Sequence, residues 1–139
     1  MPQLNQTITF IIPIQNKHEF LIEQINTLFK FSEQYGRFCE IIIVTDDIED
    51  AKLKIAWLAM KLNKISHPHV RTRIIRYTSK LSLDNLIETS VNHALGQKLV
   101  ITTNIPEKVE KAKITDVTKR EILITQYILD VNTLQENLT

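Results

Sequence analysis

Apolar, β-branched runs that alternate with segments of helical period constrain this chain more than any other feature. Residues 7–14 (Thr-Ile-Thr-Phe-Ile-Ile-Pro-Ile) and 39–45 (Cys-Glu-Ile-Ile-Ile-Val-Thr) are nearly continuous apolar stretches of strand length, the pattern of strands buried on both faces. Pro13, with no N–H to donate, stops the ladder near the end of the first. Between them Leu21, Ile25, Leu28 and Phe29 recur at helical spacing up to Gly36, a C-terminal breaker. A second helix is expected over about 49–64, with Leu53, Trp57 and Met60 on its core face and Ile55, Leu58 and Leu62 beside them. A third strand over 70–77 alternates in character. A third helix over 82–95 is capped by Ser82 and closed by Gly96, and a short strand covers 99–102. Strand–helix repeated three times and then a strand predicts a three-layer α/β/α domain with a mainly parallel sheet, because parallel neighbours need crossover helices. Ligands in such sheets bind beyond the carboxyl ends of the strands, which directs attention to Gln15 and Asn16, Asp46 and Asp47, residues 77–80 and residues 102–105.

Composition removes several alternatives. The 139 residues suit one domain, with a core of real size and no linker or repeat. Gly36 and Gly96 are the only glycines, so neither a Gly-x-Gly-x-x-Gly turn nor a Walker-type phosphate loop exists. Cys39 is the only cysteine, which excludes a disulfide framework and a Cys-based zinc cluster; opening a buried strand, it reads as a small hydrophobe. Seventeen basic residues against 16 acidic ones give a net charge of +1, with no broad field for nucleic acid. No apolar run approaches the roughly 18–20 residues of a membrane span, and the first residues carry no signal-peptide pattern, so the expected compartment is the cytosol.

The remaining features read structurally. Val117, Ile124, Ile128, Val131, Leu134 and Leu138 step by threes, fours and sevens, which predicts one long amphipathic helix from about Asp116. Trp57 reads as core, and His67-Pro-His69 as a solvated turn and not a metal site. Arg71 and Arg73 read as solvated cations on an edge strand, where charge discourages aggregation.

Three segments together resemble a known family. Ile8-Thr-Phe-Ile-Ile-Pro-Ile-Gln-Asn16 resembles the opening strand of family-2 glycosyltransferases. Glu40-Ile-Ile-Ile-Val-Thr-Asp-Asp47 resembles their second strand and its aspartate pair. His93-Ala-Leu-Gly-Gln-Lys-Leu-Val-Ile101 resembles the segment before their metal-binding Asp-x-Asp. The resemblance covers about residues 7–104 of a single domain, the nucleotide-binding half of the GT-A fold, with 105–139 as a helical extension. It implies a truncated GT-A sheet in which Pro13 and Asn16 line a base pocket and Asp46 or Asp47 accepts the uracil N–H of a UDP-type nucleotide or nucleotide-sugar. A carboxylate that instead caps the following helix would serve the fold equally well. Where the family has Asp-x-Asp, this chain reads Thr102-Thr103-Asn104-Ile105, so no divalent metal is expected. Thr103 would border the ligand, and Arg76 and Lys80 would stand in for the metal beside the diphosphate. Because the acceptor half is absent as well, the expectation is a nucleotide-binding glycosyltransferase-like domain with little transferase activity of its own. An inactive interaction or regulatory domain and a metal-independent transferase are the alternatives. The surface that the absent half would cover suggests a second copy or a partner protein.

Overall fold

A computed structural model describes residues 6–14, 20–46 and 50–138, residues 50–52 as backbone only. Strands β1 (Ile8–Ile14), β2 (Cys39–Thr45), β3 (Arg71–Arg76), β4 (Lys98–Thr103) and β5 (Glu121–Gln126) alternate with helices α1 (Leu21–Tyr35), α2 (Asp50–Ser66), α3 (Leu83–Val91), α4 (Lys111–Thr118) and α5 (Val131–Leu138). The five strands form one sheet in the order β3-β2-β1-β4-β5, every neighbouring pair parallel. The three-layer parallel α/β architecture expected from the sequence is therefore the observed one.

The central strands β1, β2 and β4 are buried along their whole length, which is why their sequences read as unbroken apolar runs. Alternation divides them between two layers. Ile8, Phe10, Ile12, Ile41, Ile43 and Val100 face α1, α2 and α5, whereas Ile11, Ile42, Val44, Leu99 and Ile101 face α3 and α4. On the first face Phe10 meets Phe31 edge to face, with ring centroids 5.7 Å apart. Gly36 closes α1 in the left-handed conformation, as expected.

Four expectations need correction. The tail is not one long helix but α4, β5 and α5. Lys119 adopts a left-handed conformation that ends α4, and the β-branched stretch that follows pairs with β4 from Lys98↔Glu121 to Thr103↔Gln126. Val131, Leu134 and Leu138, on α5, keep the helical spacing against the core that includes α1, while Val117 is exposed. Helix α3 ends at Val91, a turn before Gly96. Gly96 is required instead by close approach: a Cβ there would meet Thr9 N, and would lie 2.7 Å from Ile8 C. Trp57 is not core. Helix α2 buries Ala56, Ala59 and Met60, and its rotation leaves Trp57 49% exposed. Arg71 is not merely solvated: its Nε lies 3.0 Å from Oε2 of the fully buried Glu40.

That carboxylate organises the amino end of the sheet. Glu40 Oε1 accepts hydrogen bonds from Thr9 Oγ1 at 2.9 Å and Leu95 N at 3.0 Å, and Gly96 N donates to Thr9 Oγ1 at 2.8 Å. The chain entering β4 is thereby pinned to β1 and β2. His67 Nδ1 pairs with Glu33 at 3.0 Å beside its proline turn.

Candidate active-site crevice

The sheet order reverses direction between β1 and β4, the position where open parallel sheets place their ligands. Here the opening can be followed residue by residue. Strand β1 pairs with β2 as far as Ile14↔Thr45, but with β4 only as far as Ile11↔Ile101. Beyond that point β4 continues alongside β5 to Thr103. Pro13, which cannot donate to a ladder, lies where the β1–β4 pairing has already ended. The two central strands thus part at their carboxyl ends.

The residues singled out from the sequence distribute around this opening unequally. Pro13 is buried and, out of phase with Ile12 and Ile14, faces the α3/α4 side. Asp46, 5% exposed, follows Val44 onto the same side, and its Oδ2 accepts a hydrogen bond of 2.6 Å from Leu81 N, just ahead of α3. Thr103 shares the phase of Leu99 and Ile101; it is buried, and its Oγ1 accepts from Ile105 N at 3.3 Å. Lys80 is exposed in the loop beside Leu81. The fold therefore brings Pro13, Asp46, Lys80 and Thr103 to the α3/α4 side of the carboxyl edge. Arg76 is not brought with them, because it shares the phase of Ile74 and projects on the α2 side of the edge strand. Asn16 and Asp47 lie outside the described residues.

Asp46 braces the β3–α3 loop against the end of β2. At the end of β4 the available oxygens are neutral hydroxyl, amide and carbonyl groups, a donor set that does not fit a divalent cation bridging a diphosphate. Among the described residues no three His, Cys, Asp or Glu side chains come together as a metal-holding group.

Sequence reasoning missed three buried polar side-chain groups. Gln24, in the first turn of α1, is fully buried; its Oε1 accepts from Ile128 N at 2.6 Å while Nε2 has no partner. Thr102 Oγ1 and the Tyr127 hydroxyl are also buried without a partner, and burial pushes the Tyr127 phenol up to about 12. All three come from elements bordering the carboxyl edge. The one sequence signal was Gln24 standing among Leu21, Ile25 and Leu28 on the apolar stripe of α1. Phe20 was missed too: it enters α1 in a left-handed conformation (φ 63°) and is more than half exposed.

No family model and no curated protein matches the sequence. Among solved structures the fold is similar to the mannosyltransferase PcManGT from Pyrobaculum calidifontis, determined in complex with GDP-mannose and Mn2+. The two superpose with a TM-score of 0.55 and 23% identity, over 72% of this chain and 28% of that enzyme. The likeness establishes a glycosyltransferase-like α/β fold, and this chain spans little more than a quarter of that enzyme's length. No helix among the described residues is long and apolar enough to cross a membrane.

Proposed function

We propose that this chain is a GT-A-type nucleotide-binding domain, which holds a nucleoside diphosphate or a nucleotide-sugar in the β1–β4 crevice without a divalent cation and does not by itself complete sugar transfer. The supporting observation is the crevice itself: a parallel glycosyltransferase-like sheet whose central strands separate after Ile11↔Ile101. In this reading Pro13 and Asn16 line the base, and Asp47 accepts the uracil imide proton. Asp46 is engaged by Leu81 N and keeps the loop in place. Lys80, on the Asp46 side of the sheet, is the cation for the diphosphate, with Thr103 at the crevice wall; Arg76 has the weaker claim because it projects on the opposite face. The similar enzyme was determined with GDP-mannose, so a guanine nucleotide belongs in any test beside UDP.

The test is thermal unfolding with UDP, UDP-glucose and GDP-mannose, each with and without manganese. A ligand at about a hundred times its dissociation constant adds ~2.7 kcal/mol, a rise in Tm on the order of 10 °C at this size. The expected result is a shift with one nucleotide that is indifferent to manganese and lost in Asp47→Ala. A second reading, a scaffold that has kept the fold without the ligand, is favoured by the neutral end of β4. It predicts no shift with any nucleotide, which would overturn the first.

A further inference from the structure

Charge in this chain is segregated to a degree that its net value hides. Residues 51–82 contain eight of the 17 lysines and arginines and none of the 16 aspartates and glutamates. They form most of α2 and the adjacent edge strand β3, so one edge of the molecule is basic while the rest carries a net negative charge. The same helix has an apolar outer face. Ile55, Leu58, Leu62 and Ile65 recur in steps of three and four, and are 44%, 51%, 65% and 78% exposed. They point away from the buried face of Ala56, Ala59 and Met60. Trp57 lies on the flank with Lys61 Nζ 4.5 Å above its ring. A groove between α2 and β3 is lined by Trp57, Met60, Lys61, Lys64, Thr72 and Arg73, with no carboxylate.

We infer that α2 and the rim of β3 dock on an anionic lipid bilayer, with α2 lying in the plane of the interface. The aliphatic stripe enters the headgroup–acyl boundary, Trp57 sits at the level where indole rings are favoured, and the exposed Lys54 and Lys61 meet the lipid phosphates, while Lys64 Nζ donates to Val70 O at 2.7 Å and holds the turn into β3. Charge complementarity selects this occupant. A cation-only rim answers a surface of uniform negative sign, whereas a second copy docking the same face would set two basic surfaces against each other. Nucleic acid would satisfy the lysines and the indole, but would leave four aliphatic side chains with nothing apolar to cover them. This inference does not depend on the nucleotide site, which opens at the carboxyl ends of β1 and β4.

The test uses the full chain and flotation with vesicles of equal parts phosphatidylcholine and phosphatidylglycerol, against vesicles of phosphatidylcholine alone. Trp57 is the only tryptophan, so its emission reports insertion directly. Expected are flotation with the anionic vesicles only, a blue shift of Trp57 emission, and release by high salt. Leu58→Glu combined with Leu62→Glu abolishes both signals, and Lys54→Gln or Lys61→Gln weakens partitioning about fivefold each. Both positions are exposed, so thermal unfolding of the variants should match the parent, which separates lost docking from lost folding. The inference is overturned by absence of flotation, by equal flotation with neutral vesicles, or by binding that survives the double leucine substitution. It is also overturned if single-stranded RNA, and not vesicles, shifts Trp57 emission, or if the leucine pair instead holds together a dimer seen by light scattering.

Discussion

Asp46 is the residue on which a structural and a ligand-binding role can be separated most cleanly. Its carboxylate is almost fully buried and accepts a 2.6 Å hydrogen bond from the backbone of Leu81, tying the end of β2 to the loop that begins α3. A hydrogen bond to a charged group contributes about 1.5–3 kcal/mol, and truncation leaves a buried N–H without an acceptor. Asp46→Ala is therefore expected to cost ~2 kcal/mol, seen as a fall in Tm of about 6–8 °C for a chain of this length. Asp46→Asn keeps an oxygen acceptor and loses the charge, so about half of that penalty is expected. Urea unfolding should show the same order with an unchanged m-value, since both folded states bury the same surface. If Asp46→Ala melts within about 1 °C of the parent, the bond to Leu81 contributes nothing, and the assignment of Asp46 as a brace is refuted. If Asp46→Asn abolishes a nucleotide-induced shift that Asp47→Ala leaves intact, the two aspartates have been given each other's roles.

Three further outcomes follow from the packing. Arg71→Ala leaves Glu40 Oε2 buried and unpaired; discounted for the half-exposed arginine, the loss is about 2–3 kcal/mol by chemical denaturation. Gly96→Ala drives a methyl into the backbone of β1 at Ile8 and Thr9, so the protein should be insoluble or at least ~3 kcal/mol less stable, with circular dichroism as the check. Burial pushes the Cys39 thiol up from 9.0 to about 11 and the Tyr127 phenol up from 10.0 to about 12. For both, the folded value is the higher one, so their contribution is intact below pH 9 and is lost as pH rises toward 12; each is on the order of 2–3 kcal/mol. Tyr127→Phe should remove the upper part of this alkaline loss and, since the hydroxyl has no partner, leave neutral-pH stability unchanged or slightly higher.

What the sequence disclosed follows from which contacts are local. Strands buried on both faces must be apolar at every position, so β1, β2 and β4 announce themselves, and the parallel sheet follows from the helices between them. Strand β5 pairs with a neighbour on one side only and is half-buried, and its Ile122 and Ile124 also fitted a helical series running on to Leu138. Hydrophobicity alone misplaced Trp57, because α2 is set against the sheet by its small residues, Ala56 and Ala59, and turns its largest side chain outward. At the crevice, residue type and strand end pointed to Asp46, but its partner lies 35 residues further along the chain and no spacing rule reaches it. Gln24 finds its acceptor role only when the segment after β5 arrives, since its partner Ile128 lies 104 residues further along the chain.

The reversal of strand order between β1 and β4 also sets a timetable. During synthesis, β2 can pair with β1, and β3 with β2, almost as soon as each emerges, but the other neighbour of β1 begins only at Lys98. At ordinary translation speeds the gap lasts on the order of ten seconds. Throughout it, the most apolar strand of the molecule keeps one whole edge open to any extended chain nearby. The interval in which this protein is most exposed to misassembly is therefore fixed by topology, and it closes when the segment pinned by Glu40 and Thr9 arrives to cover β1.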